Sequence, residues 1–170
     1  SLAMIAFAAN SVLCRMALNE EAIDAASFTS IRLISGATVL LLLVYASKTK
    51  NKSSSKGSWA SGAILFIYAV AFSFAYVSLD TGTGALIVFG TVQITMITSA
   101  LFQGNKMKFS EWIGVILAFG GFVYLVLPGV TAPSLSGLLL MILSGMAWGI
   151  YSLRGKSSLH PLSDTAFNFL

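Results

Sequence analysis

Runs of apolar residues, each roughly 20 long, follow one another through this sequence with almost no charge inside them. They fall near Leu2 to Leu18, Phe28 to Ala46, Trp59 to Leu79, Gly84 to Phe102, Trp112 to Leu127 and Leu135 to Leu153, and a seventh opens at Asp164. Four of the six complete runs hold no charged residue, and the first two hold one arginine each, Arg15 and Arg32. A helix with no polar face has nothing to show to water, so the solvent these runs are built for is lipid. A mean hydropathy of +0.87, with only 9% of residues charged, says the same of the whole chain. Backbone amides in hydrocarbon must be paired within the segment or around a closed barrel. Runs this long and continuous do not alternate as barrel strands do, which leaves an all-α, polytopic transmembrane helix bundle.

The connections sort by charge. Lys48, Lys50, Lys52, Lys56, Lys106, Lys108, Arg154 and Lys156 follow the second, fourth and sixth runs, whereas Glu20, Glu21, Asp24 and Asp80 follow the first and third. Because translocation of Lys and Arg is disfavoured, the even-numbered loops are expected in the cytoplasm of a multi-pass cell-membrane protein. That orientation also puts the sequon Asn51-Lys52-Ser53 on the side where no sugar is added. The same topology accounts for a net charge of +4 without nucleic acid, since the cations sit in short loops and build no patch interleaved with aromatics. The single cysteine, Cys14, lies in an apolar run and reads as packing.

A faint ungapped echo links the two ends of the chain. Cys14-Arg15 falls opposite Leu153-Arg154, Ala22 opposite Pro161 and Phe28 opposite Phe167, all at one constant offset. Five helices separate the copies, so the second must cross in the opposite sense, the arrangement of inverted repeats in secondary transporters. The expected organisation is a first repeat of about five helices over residues 1–133 and the start of a second over 134–170, truncated there. The missing C-terminal half of the same protein is then a required partner, alongside the lipid bilayer and a small-molecule substrate.

Ordered motifs run along nearly the whole chain. They are Ala9-Asn10-Ser11 leading to Arg15, Phe28-Thr29-Ser30-Ile31-Arg32, Phe74-Ala75-Tyr76, the small-residue turn Thr81 to Ile87, Lys106-Met107-Lys108 with Glu111-Trp112-Ile113-Gly114, and Trp148-Gly149-Ile150-Tyr151. In order and spacing the chain resembles the drug/metabolite transporter superfamily, specifically its EamA-type ten-helix permeases. The resemblance implies a transporter fold of inverted five-helix repeats. The chain departs from the pattern where Gly90-Thr91-Val92-Gln93 replaces a mid-helix proline of the fourth span and where Arg15 stands for a common lysine.

Transport needs polar groups inside an apolar bundle, and each such residue requires a partner, water or a use. Seven are candidates for substrate binding: Asn10, Arg32, Tyr76, Thr91, Gln93, Trp148 and Tyr151. Arg32 cannot be neutralised by deprotonation; it must snorkel, pair with Glu20, Glu21 or Asp24, or face a cavity. Gln93, with Thr91 and Thr95, and Asn10 serve either a solute or interhelical hydrogen bonds. Tyr76, Trp148 and Tyr151 each join a flat apolar face to one polar atom. Gly145 with Gly149, and Gly114 with Ala118 and Gly121, are stripes for close helix packing. Trp59 and Trp112 read as interface anchors, as does Arg15.

The stretch Gly149 to Ser157 misses the phosphate-loop spacing by one residue, and lone His160 has no companions for a metal site. No cofactor, metal or catalytic residue is expected, and the chain reads as part of a transporter rather than an enzyme. The function expected is alternating-access movement of a small metabolite or drug. The alternative is a membrane scaffold or receptor that moves nothing, which would need no polar residue at mid-membrane depth.

Overall fold

The structure, a computed structural model, describes residues 2–19, 23–47, 57–126 and 133–170. Glu20, Glu21, Ala22, the sequon and Lys48, Lys50, Lys52 and Lys56 lie outside the described residues. Seven helices and no strand appear among those described: α1 (Leu2–Asn19), α2 (Ala25–Ala46), α3 (Trp59–Ala75), α4 (Thr81–Phe102), α5 (Phe109–Val126), α6 (Leu135–Gly155) and α7 (Pro161–Asn168). Among the described residues, α2, α4, α6 and the stretch Trp59–Tyr76 are long and apolar enough to cross a membrane.

Several helices begin a turn before their apolar run, because a cap is polar by necessity. Asp24 heads α2, its carboxylate accepting from the amides of Ala26 (3.0 Å) and Ser27 (2.9 Å). Glu111 reaches back to the Lys108 amide (2.7 Å) at the start of α5. Ser134 caps α6, accepting from Gly137 at 3.2 Å and donating to the Ser78 hydroxyl at 2.9 Å. The third span ends earlier than its apolar run, at Ala75, where Val77 and Ser78 turn back onto the Phe74 and Ala75 carbonyls.

Hydrogen bonds from the Ser27 side chain, then from the Ser27 and Ala26 amides, hold the Asp24 carboxyl below its ordinary value. A depressed folded-state pKa stabilises above the unfolded value and is lost as the pH falls through the folded one. Asp24→Ala is therefore expected to melt below the wild type at neutral pH and to converge on it as the pH drops well under 3.8. A gap in thermal melts that persisted undiminished in acid would contradict this.

The packing centres on α3 and α6. Ser144 of α6 donates to the Tyr68 carbonyl of α3 (3.3 Å), and Arg154 at the end of α6 donates to Ser61 (3.0 Å) and Ser58 (3.3 Å) at the start of α3, so the two run antiparallel. Against α4, Gly145 meets Thr91 and the Val88 carbonyl, and Gly149 meets Thr95. A Cβ on Gly145 would lie 2.7 Å from the Thr91 Cβ and 2.9 Å from the Val88 oxygen, so α4 and α6 are parallel at near backbone contact. The second stripe behaves differently, since nothing lies within 4 Å of a Cβ built on Gly114 or Gly121 and Ala118 is exposed.

Arg15 does more than anchor. It donates to the Tyr76 and Val77 carbonyls (2.9 and 3.4 Å) and pairs with Asp80 at 3.3 Å, so it clips α1 to the end of α3. Helix α2 is exposed or half-buried for almost its full length, with only Ala25 and Thr29 buried. Its hydroxyls mostly turn inward on their own helix: Thr29, Ser30 and Thr38 each donate to the carbonyl four residues earlier, at 2.7 to 2.9 Å.

Candidate functional site: a mid-depth aromatic cluster with a bare arginine

Tyr68, Phe72 and Tyr76 recur every fourth residue and so line one face of α3. Their rings are in sequential contact, with centroids 5.5 Å apart for Tyr68 and Phe72 and 4.8 Å for Phe72 and Tyr76. From α6, Trp148 lies 4.8 Å from Tyr68 and stacks on Tyr151 at 5.7 Å. Five rings thus run from Tyr76, near the Asp80 end of the bundle, to Tyr151, near the Arg154 end.

Arg32 joins this ladder from α2. Its guanidinium carbon is 5.4 Å from the Tyr68 centroid and 5.1 Å from that of Phe72. Tyr68 is close to midway between Trp59 and Ala75. The arginine therefore points inward at mid-depth instead of snorkelling to an interface. Its Nη1 is buried with no hydrogen-bond partner among the described residues. Asp24 is engaged in its own cap, Glu20 and Glu21 lie outside the described residues, and the ion pair seen among those described belongs to Arg15 and Asp80. Beside the Tyr68 hydroxyl stand the side chains of Arg32 and Asn10.

Two cavities adjoin the ladder. A small one of about 20 Å³ sits between Asn10 and Ser11 of α1, Tyr68 and Phe72 of α3, Val88, Phe89 and Val92 of α4, and Trp148 of α6. The other, about 440 Å³, opens at the Arg154 end among α3, α6 and α7 and is lined by Ser58, Ser61, Trp148, Tyr151, Arg154, His160, Asp164 and Asn168, among others. Only the second is of a size that holds a metabolite. Trp148 lines both.

Asn10, Arg32 and Trp148 thus come together around Tyr68. Tyr151 lies one ring further on and its hydroxyl accepts from the Asn168 amide at 3.3 Å. Tyr76 is fully buried, its ring filling the space where a side chain on Gly84 would stand, and its hydroxyl has no hydrogen-bond partner among the described residues. Thr91 packs on Gly145 in the α4–α6 contact, and Thr95 donates to the Thr91 carbonyl at 2.8 Å. Gln93, by contrast, is exposed on α4, away from this cluster. Sequence reasoning missed Tyr68 and Phe72, although their four-residue spacing with Tyr76 was a usable signal. It also passed over the serines that Arg154 engages.

Comparison with known proteins places these features in a family. The EamA-like transporter family matches residues 1–127, which is most of the chain. The chain belongs to the EamA-like transporter family. This EamA-like chain is 50% identical over 169 residues to an uncharacterized protein of Pseudomonas aeruginosa, covering 99% of the chain and 58% of that protein. It is 24% identical over 144 residues to an uncharacterized transporter of Archaeoglobus fulgidus, covering 82% of the chain and 51% of the relative. The chain therefore spans little more than half the length of these relatives. No solved structure matches it. The EamA-like match takes in α1 to α5, and with them Asn10, Arg32 and all three aromatic residues of the α3 face.

Proposed function

We propose that this EamA-like chain is half or more of a permease that moves a small metabolite or drug by alternating access, with a C-terminal half of the same polypeptide completing it. The observation that carries this reading is the polar and aromatic cluster at mid-depth, where Asn10, Arg32, Tyr68 and Trp148 meet. A bundle that only held partners would have no reason to keep an arginine there, since a charge at membrane depth is expensive.

The two arginine clamps support an inverted repeat. Arg15 grips the far end of α3 and its echo Arg154 grips the start of the same helix, as two copies related by an axis in the membrane plane would do. In this reading Asn10, Arg32, Trp148 and Tyr151 line the solute path, Tyr76 closes its far end, and Thr91 holds α4 against α6. Gln93 faces the second half of the protein. The Arg154 end, with Lys106, Lys108 and Lys156, is cytoplasmic.

A ligand that prefers the folded state must raise its melting temperature. Screening small metabolites against the full-length protein in detergent is expected to give a hit stabilising by about 3–4 kcal/mol at a concentration of 100 to 1,000 times Kd. If no solute of any charge shifts the melt and a protein partner co-purifies instead, the scaffold reading replaces this one.

A further inference from the structure

Arg32 holds a permanent positive charge against the inward face of α3, and among the described residues no acid neutralises it. Its neighbours are two ring faces, which attract a cation through their quadrupoles but bring no negative charge. An unpaired ion in a low-dielectric interior is unstable relative to one with a counter-ion, and removing water from one side of a guanidinium without supplying acceptors wastes its donors. Nη1 is such a donor, buried and without an acceptor among the described residues.

We infer that Arg32, held against Tyr68 and Phe72, is the docking point for the carboxylate of a singly charged organic acid. This rests on the permease reading and names the class of its substrate. One guanidinium balances one negative charge. The polar groups beside it, Tyr68 and Asn10, are neutral, so a doubly charged phosphate would be left half-compensated. A carboxylate fits the planar fork of arginine with two parallel hydrogen bonds. The rings of Trp148 and Phe72 offer the rest of the solute an apolar surface, which calls for a hydrocarbon or aromatic body rather than a sugar. The same fixed charge repels cationic drugs. The small cavity on the other side of Tyr68 and Phe72 admits about one water and Arg32 lines neither cavity, so the acid reaches the guanidinium only as the packing around these rings opens.

The test uses the full-length protein in detergent and three matched sets of small molecules: monocarboxylates with aliphatic or aromatic bodies, their primary amides, and the corresponding amines. At least one carboxylate is expected to raise the melting temperature while its amide and amine do not. Arg32→Gln should weaken that carboxylate by about tenfold or more, and Arg32→Lys by less. Arg32→Gln without ligand should melt no lower than wild type, because it removes an uncompensated charge. A structural arginine would instead leave the variant less stable, and that result overturns the inference. Failure of Arg32→Gln to fold counts as that same result. Stabilisation by amides or amines but by no carboxylate overturns the docking of an acid and leaves the permease standing. Silence across all three sets overturns the docking of an acid, and the permease then stands or falls by the wider metabolite screen.

Discussion

Gly145→Leu is expected to separate α4 from α6. At this position even a Cβ would stand 2.7 Å from the Thr91 side chain and 2.9 Å from the Val88 carbonyl oxygen. Thr91 can rotate, but the carbonyl belongs to the backbone of α4 and can move only with the helix. Inserting four carbons there forces the axes apart, and overpacking of this kind costs about 1–3 kcal/mol even where the surroundings adjust. Here the loss spreads to the Thr95 contact with Gly149 one turn away, so about 3 kcal/mol or more is expected. The full-length protein should melt many degrees lower or fail to accumulate. Gly114→Leu, at the stripe with open space around it, is the matched control and should have little effect on the same measurement in the described part of the bundle. Restoring room with Gly145→Leu plus Thr91→Gly should recover only part of the loss, because the Val88 carbonyl remains.

The contrast between those two stripes shows how far the sequence could be read. Both have small residues at helical spacing, and the spacing says only that close approach is allowed. Whether a neighbour arrives depends on which helices become adjacent, and that is decided by contacts far apart in the chain, such as Ser144 with Tyr68 and Arg154 with Ser61. The spans themselves were legible because hydrocarbon imposes one length and one polarity on every crossing. Their ends were read less well, since the capping residues Asp24, Asp80 and Glu111 are excluded from any search for apolar runs, yet they or the turn they cap belong to the helix. At the site, sequence singled out Arg32 and left three fates open for it. The rings that fixed its direction, Tyr68 and Phe72, went unnoticed because aromatic residues are common in any membrane helix. Gln93 shows the reverse: its depth was readable, but the face it occupies on α4 was not.

Trp148→Ala is expected to have the largest effect on solute binding. Its ring is in contact with Tyr68 on one side and Tyr151 on the other, and it lines both the small mid-depth cavity and the larger pocket at the Arg154 end. Without it both spaces lose a wall, the aromatic ladder is broken between Tyr68 and Tyr151, and a bound solute loses a surface that excludes water. Buried aromatic anchors in binding sites are commonly worth 2 kcal/mol or more, so affinity should fall by about 30-fold. Trp148→Phe keeps a flat ring in place and should retain most of it. Isothermal titration of any ligand found in the melting screen measures both variants. An unchanged affinity in Trp148→Ala, with melting intact, would remove this residue from the solute path.

The hydroxyls of α2 bear on how such a chain enters the bilayer at all. Scales of insertion free energy charge each serine or threonine as a polar group that must leave water. Ser30 and Thr38, both exposed, instead turn their hydrogens onto carbonyls of their own helix, so from outside each presents little more than a methyl or methylene surface. The span is therefore greasier to a translocon than its letters add up to. That reserve lets a helix with so little protein around it carry the guanidinium of Arg32 across the same barrier.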